Sequence, residues 1–163
     1  MSGFHGHSQP PAMAVLDQLL RQYVEYMESL RRESILDDQF TQLQKLQDES
    51  NPDFIDEVIT LFFQDSERLI CSMGTALAKR NVDYKQVDDD VHQLKGSSSS
   101  IGAARVKNLC VFFRDCCEAK NLEKCYRCLQ EVQQECVLLK NKLNTLFMLQ
   151  KQIVAAGGSI PVD

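Results

Sequence analysis

Residues 122–146 read LEKCYRCLQEVQQECVLLKNKLNTL and carry the cleanest hydrophobic pattern of the chain. The apolar positions alternate by three and four residues, which places them along one face of an α-helix. Such a stripe suits the core of a helical bundle or a coiled coil. Its members are Leu122, Cys125, Leu129, Val132, Cys136, Leu139, Leu143 and Leu146.

Three further amphipathic segments lie directly before this stretch. The first begins with Asn51, Pro52 and Asp53, a helix-start signature. The Asn51 side chain can accept from free backbone N–H groups, the proline ring suits the first turn, and the helix dipole favours the charge of Asp53. Strand signals are nearly absent from the chain. Four neighbouring amphipathic helices joined by short turns predict an all-α bundle. The three segments run from Asn51 to about Asn81, from about Asp83 to Gly102, and from Val106 to Cys117. The inward stripe of the first is predicted to be Ile55, Ile59, Phe62, Ser66, Leu69, Met73 and Ala76, and that of the second Val87, Val91, Leu94, Ser98 and Ile101.

The ends of the chain differ from its middle. Two shorter apolar patterns, Leu16–Leu30 and Phe40–Leu46, predict two N-terminal helices that can cap the bundle. Residues 1–12, MSGFHGHSQPPA, have no periodicity, and we expect a flexible leader left over from expression. A single domain is expected over residues 13–152. Residues 153–163, with two glycines and a proline, are expected to form a flexible tail.

Composition narrows the class of protein. The chain has 163 residues, of which 44% are apolar, enough for one domain with a sizeable core. Its net charge of -5 argues against binding nucleic acid, because little phosphate charge would be neutralised. No apolar run approaches the roughly 20 residues of a membrane span, and no signal peptide is recognisable. These features predict a protein of the cytoplasm or nucleus, without membrane contact, whose partners are other proteins.

The seven cysteines are predicted to be reduced thiols, because their number is odd and they lie in helical segments. Cys125 and Cys128 form a C-x-x-C pair, which could bind metal or cycle through a disulfide. No second pair completes a zinc site, and no βαβ pattern suggests a redox fold. A structural role is therefore expected for both, and Cys116 and Cys117 are expected to be inert if buried.

Residues 88–102, DDDVHQLKGSSSSIG, carry the side chains that could take part in a chemical reaction. We take the centre of the stripe of Val87, Val91, Leu94 and Ile101 as zero. At 100° per residue, His92 then lies ~140° from this centre, Lys95 ~80° and Gly96 ~180°. His92 should therefore face solvent with Lys95 one turn further on. The same count places Ser99, at ~120°, beside His92.

A neutral, exposed imidazole offers a lone pair that can accept a phosphoryl group. Lys95 can compensate charge on the phosphoryl oxygens, and serine hydroxyls can donate hydrogen bonds. Gly96 removes a side chain where another molecule's backbone would approach, which offsets its cost in a helix. The acids Asp88, Asp89 and Asp90 are expected to stabilise the helix dipole rather than bind an ion.

The order of these residues closely resembles the signature of histidine-containing phosphotransfer (HPt) proteins. The similarity extends from Met13 to about Gln152 and is greatest to plant HPt proteins of cytokinin phosphorelays. It implies an antiparallel four-helix bundle with two additional N-terminal helices. The matching positions are His92, Leu94, Lys95, Gly96, the serines that follow and Gly102.

Carried over to this sequence, the resemblance makes His92 the phosphoacceptor and places Lys95 near the phosphoryl oxygens. It makes Gly96 the point of close approach by a receiver domain and Ser97 a polar motif position. Some plant relatives, the pseudo-HPt proteins, lack the histidine. Since His92 is present here, the resemblance implies a competent carrier.

The resemblance also implies partners. Receiver domains of hybrid histidine kinases would donate the phosphoryl group and those of response regulators would accept it. The Mg²⁺ would be held by the receiver's acids, and this chain would bind no cofactor or metal. It would be a monomeric phosphotransfer intermediate without autokinase activity, consistent with the lack of a Gly-rich phosphate cradle. The alternative is a helical adaptor that binds proteins without carrying phosphate.

Overall fold

Six α-helices account for most of residues 11–162, the part of the chain that the computed structural model describes. No strand occurs within this part, so the predicted all-α class is confirmed. Residues 1–10 of the expected leader lie outside the described residues. The helices are α1 (Pro11–Arg32), α2 (Asp38–Gln44), α3 (Phe54–Leu77), α4 (Tyr84–Ile101), α5 (Ala104–Glu118) and α6 (Leu122–Ala155).

Helices α3 to α6 form the four-helix bundle. Helix α4 packs between α3 and α5, and α6 closes the bundle by packing against both α5 and α3. Of the two N-terminal helices, α1 packs along α6 and α2 contacts α4. The Tyr26 hydroxyl donates to the Lys142 carbonyl oxygen at 2.8 Å, which ties α1 to α6.

The core consists of the stripes predicted from the sequence. All predicted positions of α3 and α4 are buried, including Ser66 and Ser98, whose hydroxyls donate to the carbonyl oxygens of Phe62 and Leu94. These bonds satisfy each hydroxyl within its own helix, so the two serines cost little in an apolar core. Two predicted apolar positions are wrong: Leu122 is 39% exposed at the start of α6, and Leu46 is 63% exposed beyond the end of α2.

Helix α3 begins at Phe54, and its N-cap is Asp53, two residues later than the cap predicted at Asn51. The backbone N–H of Asn51 donates to the backbone and side-chain oxygens of Asp48, so Asn51 belongs to a turn. The free amide of Ile55 is instead satisfied by the side-chain oxygen of Gln47 at 3.0 Å. The sequence motif was wrong as a cap because a local turn competes for the same residues.

The ends of the bundle extend further than predicted. Helix α1 begins at Pro11, two residues before Met13. Helix α6 runs to Ala155 rather than Gln152, because Ile153 is fully buried and Ile160 also packs against the core. The flexibility expected for residues 153–163 stays a prediction. None of the helices in the described chain is both long and apolar enough to cross a bilayer.

Six of the seven thiols are buried in the bundle and only Cys71 is exposed. Burial raises the pKa of Cys110, Cys128 and Cys136 to about 12. Burial also raises the pKa of Cys117 and of Cys125. Cys125 and Cys128, the two residues of the C-x-x-C pair, are therefore buried, protonated core residues. All seven are free thiols, and within residues 11–162 no group of three or more His, Cys, Asp or Glu side chains is arranged to hold a metal ion.

Gly102 joins α4 to α2 at the base of the bundle. Its φ of 79° lies in the left-handed region, and its carbonyl oxygen accepts the N–H of Asp37 at 2.9 Å. A Cβ at this position would lie 2.5 Å from the backbone nitrogen of Phe40. The predicted end of α4 at Gly102 is therefore confirmed, and only glycine fits there.

We predict that Gly102→Ala lowers the free energy of unfolding by at least about 1–2 kcal/mol, because the left-handed backbone and the contact with Phe40 both penalise a Cβ. Denaturant unfolding followed by circular dichroism measures the change. The matched control is Gly96→Ala in the same helix, where a Cβ meets no atom within 4 Å. That variant should gain up to about 1 kcal/mol. Equal effects of the two substitutions would contradict this account.

We also predict that a water-soluble aromatic disulfide reagent labels one thiol, Cys71, in the native protein at pH 8. The buried thiols are inaccessible, and those with raised pKa values stay protonated at that pH. Cys71→Ser should remove the rapid phase, and all thiols should react in denaturant. Rapid labelling of a second cysteine in the native state would show that this part of the bundle opens.

Candidate functional site

The outer side of α4 presents the candidate site because the opposite side of this helix is buried. The Asp83 side chain accepts from the Gln86 N–H at the start of the helix, and Gly102 ends it. Between these caps, the apolar stripe faces the core. His92 and Gly96 are exposed and Lys95 is half-buried, so the predicted orientation is confirmed. We call these three residues the His92 face.

Gly96 leaves open space on this face. A Cβ built on it would have no atom of residues 11–162 within 4 Å, so nothing in this part of the chain requires glycine at position 96. Glycine in a helix interior is unfavourable by about 1 kcal/mol relative to alanine. The unfavourable glycine is therefore not explained by packing within the described residues.

The serines after Gly96 are engaged by their own helix. The Ser97 hydroxyl donates to the Gln93 carbonyl oxygen at 3.1 Å, and Ser100 donates to the Gly96 carbonyl oxygen at 3.0 Å. Ser99 is exposed on the same side as His92, as the angle count predicts. Within the described chain neither Ser97 nor Ser99 hydrogen bonds to His92. The role of Ser97 therefore stays a prediction.

Helix α5 contributes a residue that the sequence analysis missed. Arg114 Nη1 lies 2.8 Å from His92 Nδ1. The same guanidinium donates from Nε and Nη2 to the two carboxylate oxygens of Asp88, at 3.0 and 3.2 Å. Asp88, Arg114 and His92 thus form one hydrogen-bonded array across the α4–α5 groove. The only sequence signal for Arg114 is a cation beside the buried stripe of α5, which is common on helices.

The array corrects the role predicted for the acids. Asp88, Asp89 and Asp90 lie beyond the first turn of α4, where the dipole effect has largely decayed. Asp88 binds Arg114 instead, Asp90 accepts from the Ser72 hydroxyl of α3 at 2.7 Å, and Asp89 pairs with Lys85. Two of the three acids therefore connect α4 to neighbouring helices.

Electrostatics keep Arg114 charged. Its hydrogen bonds to Asp88, followed by the charge of that carboxylate, raise the pKa of Arg114. The adjacent groove between α4 and α5 has a volume of about 460 Å³ and is lined by charges of both signs. Lys95 lines this groove and forms no ion pair among residues 11–162, so its ammonium is available to an incoming anion. The remaining charged lining residues are Lys85, Lys120, Asp115 and Glu118.

Comparison with known proteins places this geometry in context. Residues 57–144 match a family model described as Hpt domain. The chain is 62% identical over 137 residues to histidine-containing phosphotransfer protein 1 of Arabidopsis thaliana, which covers 84% of this chain and 89% of that protein. The crystal structure of histidine-containing phosphotransfer protein MtHPt2 from Medicago truncatula is similar with a TM-score of 0.81 and 55% identity, covering 88% of this chain and 97% of that one.

Relatives named as pseudo proteins match as well. Pseudo histidine-containing phosphotransfer protein 2 of Oryza sativa subsp. japonica is 46% identical over 135 residues, covering 83% of this chain and 89% of that protein. Relatives of both names therefore match this chain over more than four-fifths of its length. The feature of this chain that bears on phosphate transfer is His92 on the exposed side of α4.

Proposed function

This chain belongs to the Hpt family of histidine-containing phosphotransfer proteins, and from that premise we propose that it is a phosphorelay carrier with His92 as its phosphoacceptor. The observation that carries the proposal is an exposed histidine on the helix that the family match covers. Lys95 and the bare backbone of Gly96 on the same side support it. Members of this family are not kinases, and the chain is proposed to act without autokinase activity.

The proposed reaction is a transfer between two receiver domains. An imidazole nitrogen of His92 attacks the phosphorus of a phosphoaspartate on a hybrid histidine kinase, and the acyl P–O electrons return to the aspartate carboxylate. A receiver aspartate of a response regulator then takes the phosphoryl group in the reverse sense. Lys95 compensates charge on the non-bridging oxygens, as phosphoryl transfer requires.

The remaining chemistry is proposed to come from the partner. The receiver's acids hold the Mg²⁺, and this chain holds no cofactor. A receiver docks over the His92 face, where Gly96 admits its backbone and Ser97 contributes only as a polar position of the motif. We further propose a monomer acting in the cytoplasm and nucleus in a cytokinin-type relay.

The alternative function is an adaptor that binds proteins without carrying phosphate. A folded bundle with an exposed docking surface would serve either function. The two differ in whether His92 takes up phosphate from a phosphorylated receiver. Receiver binding by the wild-type chain without any uptake of phosphate would favour the adaptor.

We predict that His92→Gln abolishes phosphate uptake while changing the free energy of unfolding by no more than about 0.5 kcal/mol, because the side chain is exposed. Incubation with a phosphorylated receiver, followed by measurement of acid-labile phosphate on the chain, tests the prediction. Circular dichroism confirms that the variant is folded. Acid-labile phosphate on His92→Gln would contradict the assignment of the acceptor.

We predict that Gly96→Gln slows transfer from a receiver by about ten- to a hundredfold, because a side chain there displaces the docked partner. Uptake from phosphoramidate, which needs no docking surface, should stay within about twofold of wild type. Gly96→Ala is the matched control and should slow receiver transfer less. Unchanged receiver kinetics in Gly96→Gln would remove the steric argument, and loss of both activities would show that His92 itself was disturbed.

A further inference from the structure

The contact between Arg114 and His92 fixes the position of a proton. A guanidinium carries only donors, and the pKa of Arg114 is raised by Asp88, so Arg114 stays charged. With Nη1 at 2.8 Å, Nδ1 of His92 must therefore be the acceptor. A neutral ring then carries its hydrogen on Nε2, because a neutral imidazole has one N–H and one lone pair.

This tautomer is unreactive toward phosphorus at either nitrogen. Nδ1 has the lone pair, but Arg114 occupies its direction. Nε2 has no lone pair in the plane of the ring, because that pair forms the N–H bond and its other electron pair belongs to the aromatic system. Phosphoryl uptake at Nε2 requires the hydrogen to be on Nδ1, and an N–H at Nδ1 would face the N–H of Arg114. The contact and the reactive tautomer exclude each other.

We propose that Arg114, anchored by Asp88, is a positioning residue that acts as a proton lock on His92. The lock holds the free ring in its unreactive tautomer, and it protects the phosphohistidine once that has formed. Docking of a receiver opens it. The part that concerns phosphohistidine rests on the proposed function, whereas the part that concerns the free ring does not.

The proton balance of phosphoryl uptake shows why the contact between Arg114 and His92 affects both the uptake and the loss of the phosphoryl group. When the contact between Arg114 and His92 opens, water takes the hydrogen from Nε2 and supplies one to Nδ1. The Nε2 lone pair forms the N–P bond, the acyl P–O bond breaks, and its electrons leave on the receiver's carboxylate. The adduct then loses its Nδ1 hydrogen to water, and Arg114 donates to Nδ1 again.

In the locked adduct the phosphoryl group has a poor leaving group. Departure from a ring without an Nδ1 hydrogen would release an imidazolate anion, whereas a ring with that hydrogen departs as neutral imidazole. Arg114 competes with the Nδ1 hydrogen, so the locked phosphohistidine should hydrolyse slowly. Transfer to the next receiver again requires the contact to open.

The surroundings of Arg114 permit such opening. Its side chain is 36% exposed, and two of its nitrogens stay bound to Asp88 while the third contacts His92. A receiver's acidic site offers carboxylates that compete for the Nη1 hydrogens. Because the guanidinium is one rigid plane held by Asp88 at two nitrogens, the contact opens by rotation of the exposed His92 side chain away from Nη1.

The test compares Arg114→Gln with Arg114→Lys. Glutamine can accept a hydrogen bond from Nδ1–H, so it should release the lock, whereas lysine has only donors and should keep it. Arg105→Gln is the matched charge control, because Arg105 lies on the same helix and pairs with Glu135, away from His92. His92 is identified among the three histidines by its absence from the His92→Gln spectrum.

Two measurements are expected to move together. Nitrogen-15 NMR at pH 8.5 should show the Nε2–H tautomer in the unphosphorylated wild type, Arg114→Lys and Arg105→Gln, and a shift toward Nδ1–H in Arg114→Gln. Arg114→Gln should take up phosphate from phosphoramidate faster and lose it to water faster, each by about tenfold. The other two variants should stay within about twofold of wild type.

Changes in the opposite direction in the rates of phosphate uptake and loss would overturn the proposal. If Arg114 serves to compensate phosphoryl charge, Arg114→Gln should take up phosphate more slowly with an unchanged phosphohistidine lifetime. An Nδ1–H tautomer in the wild type would also overturn the lock, while phosphate uptake would leave the proposed function standing. Conversely, a wild type that takes up no phosphate would overturn the proposed function, and the NMR result would still decide the lock on the free ring.

Discussion

Burial of one stripe of α4 is the constraint on which the site depends. The stripe of Val87, Val91, Leu94, Ser98 and Ile101 is sealed between α3 and α5, so α4 has no freedom to rotate about its axis. Rotation would expose apolar area at roughly 25 cal/mol per Å² and would bury charged groups at a higher cost. His92, on the opposite side, is therefore directed outward by the burial of this stripe, and it contacts Arg114 from that position.

The same packing assembles the charged array. Because α5 lies against α4, Arg114 reaches both Asp88 and His92 across the groove. The Asp88–Arg114 pair is partly exposed, so its contribution to the free energy of unfolding is small. The pair matters because it orients the guanidinium: its two bonds to Asp88 direct Nη1 toward Nδ1 of His92. A weak stabilising interaction can thus have a large effect on the chemistry of the histidine.

The two glycines of this region show how similar residues meet different requirements. Gly102 is demanded by the fold, because its backbone is left-handed and the backbone of Phe40 lies where a Cβ would be. Gly96 is in open space and the fold does not demand it. The open space at position 96 is compatible with the docking role proposed for it.

Hydrophobic spacing alone determined the helices and their inward faces. The stripes of α3 and α4 are buried as predicted, and the end of α4 at Gly102 follows from its sequence, because periodicity and capping are local properties. The outward direction of His92 follows from the same spacing. The start of α3 was less predictable, since the turn at Asp48 and the side chain of Gln47 replaced the cap expected at Asn51.

Only the tertiary structure decided what meets His92. Arg114 lies 22 residues further along the chain on another helix, and no local pattern relates the two positions. Their contact depends on the rotation and register of α5 against α4, which many side chains of the core set together. For the same reason Asp88 was expected to act on its own helix, whereas its partner comes from α5. The sequence determined which residues face outward, and packing between helices determined which of them touch.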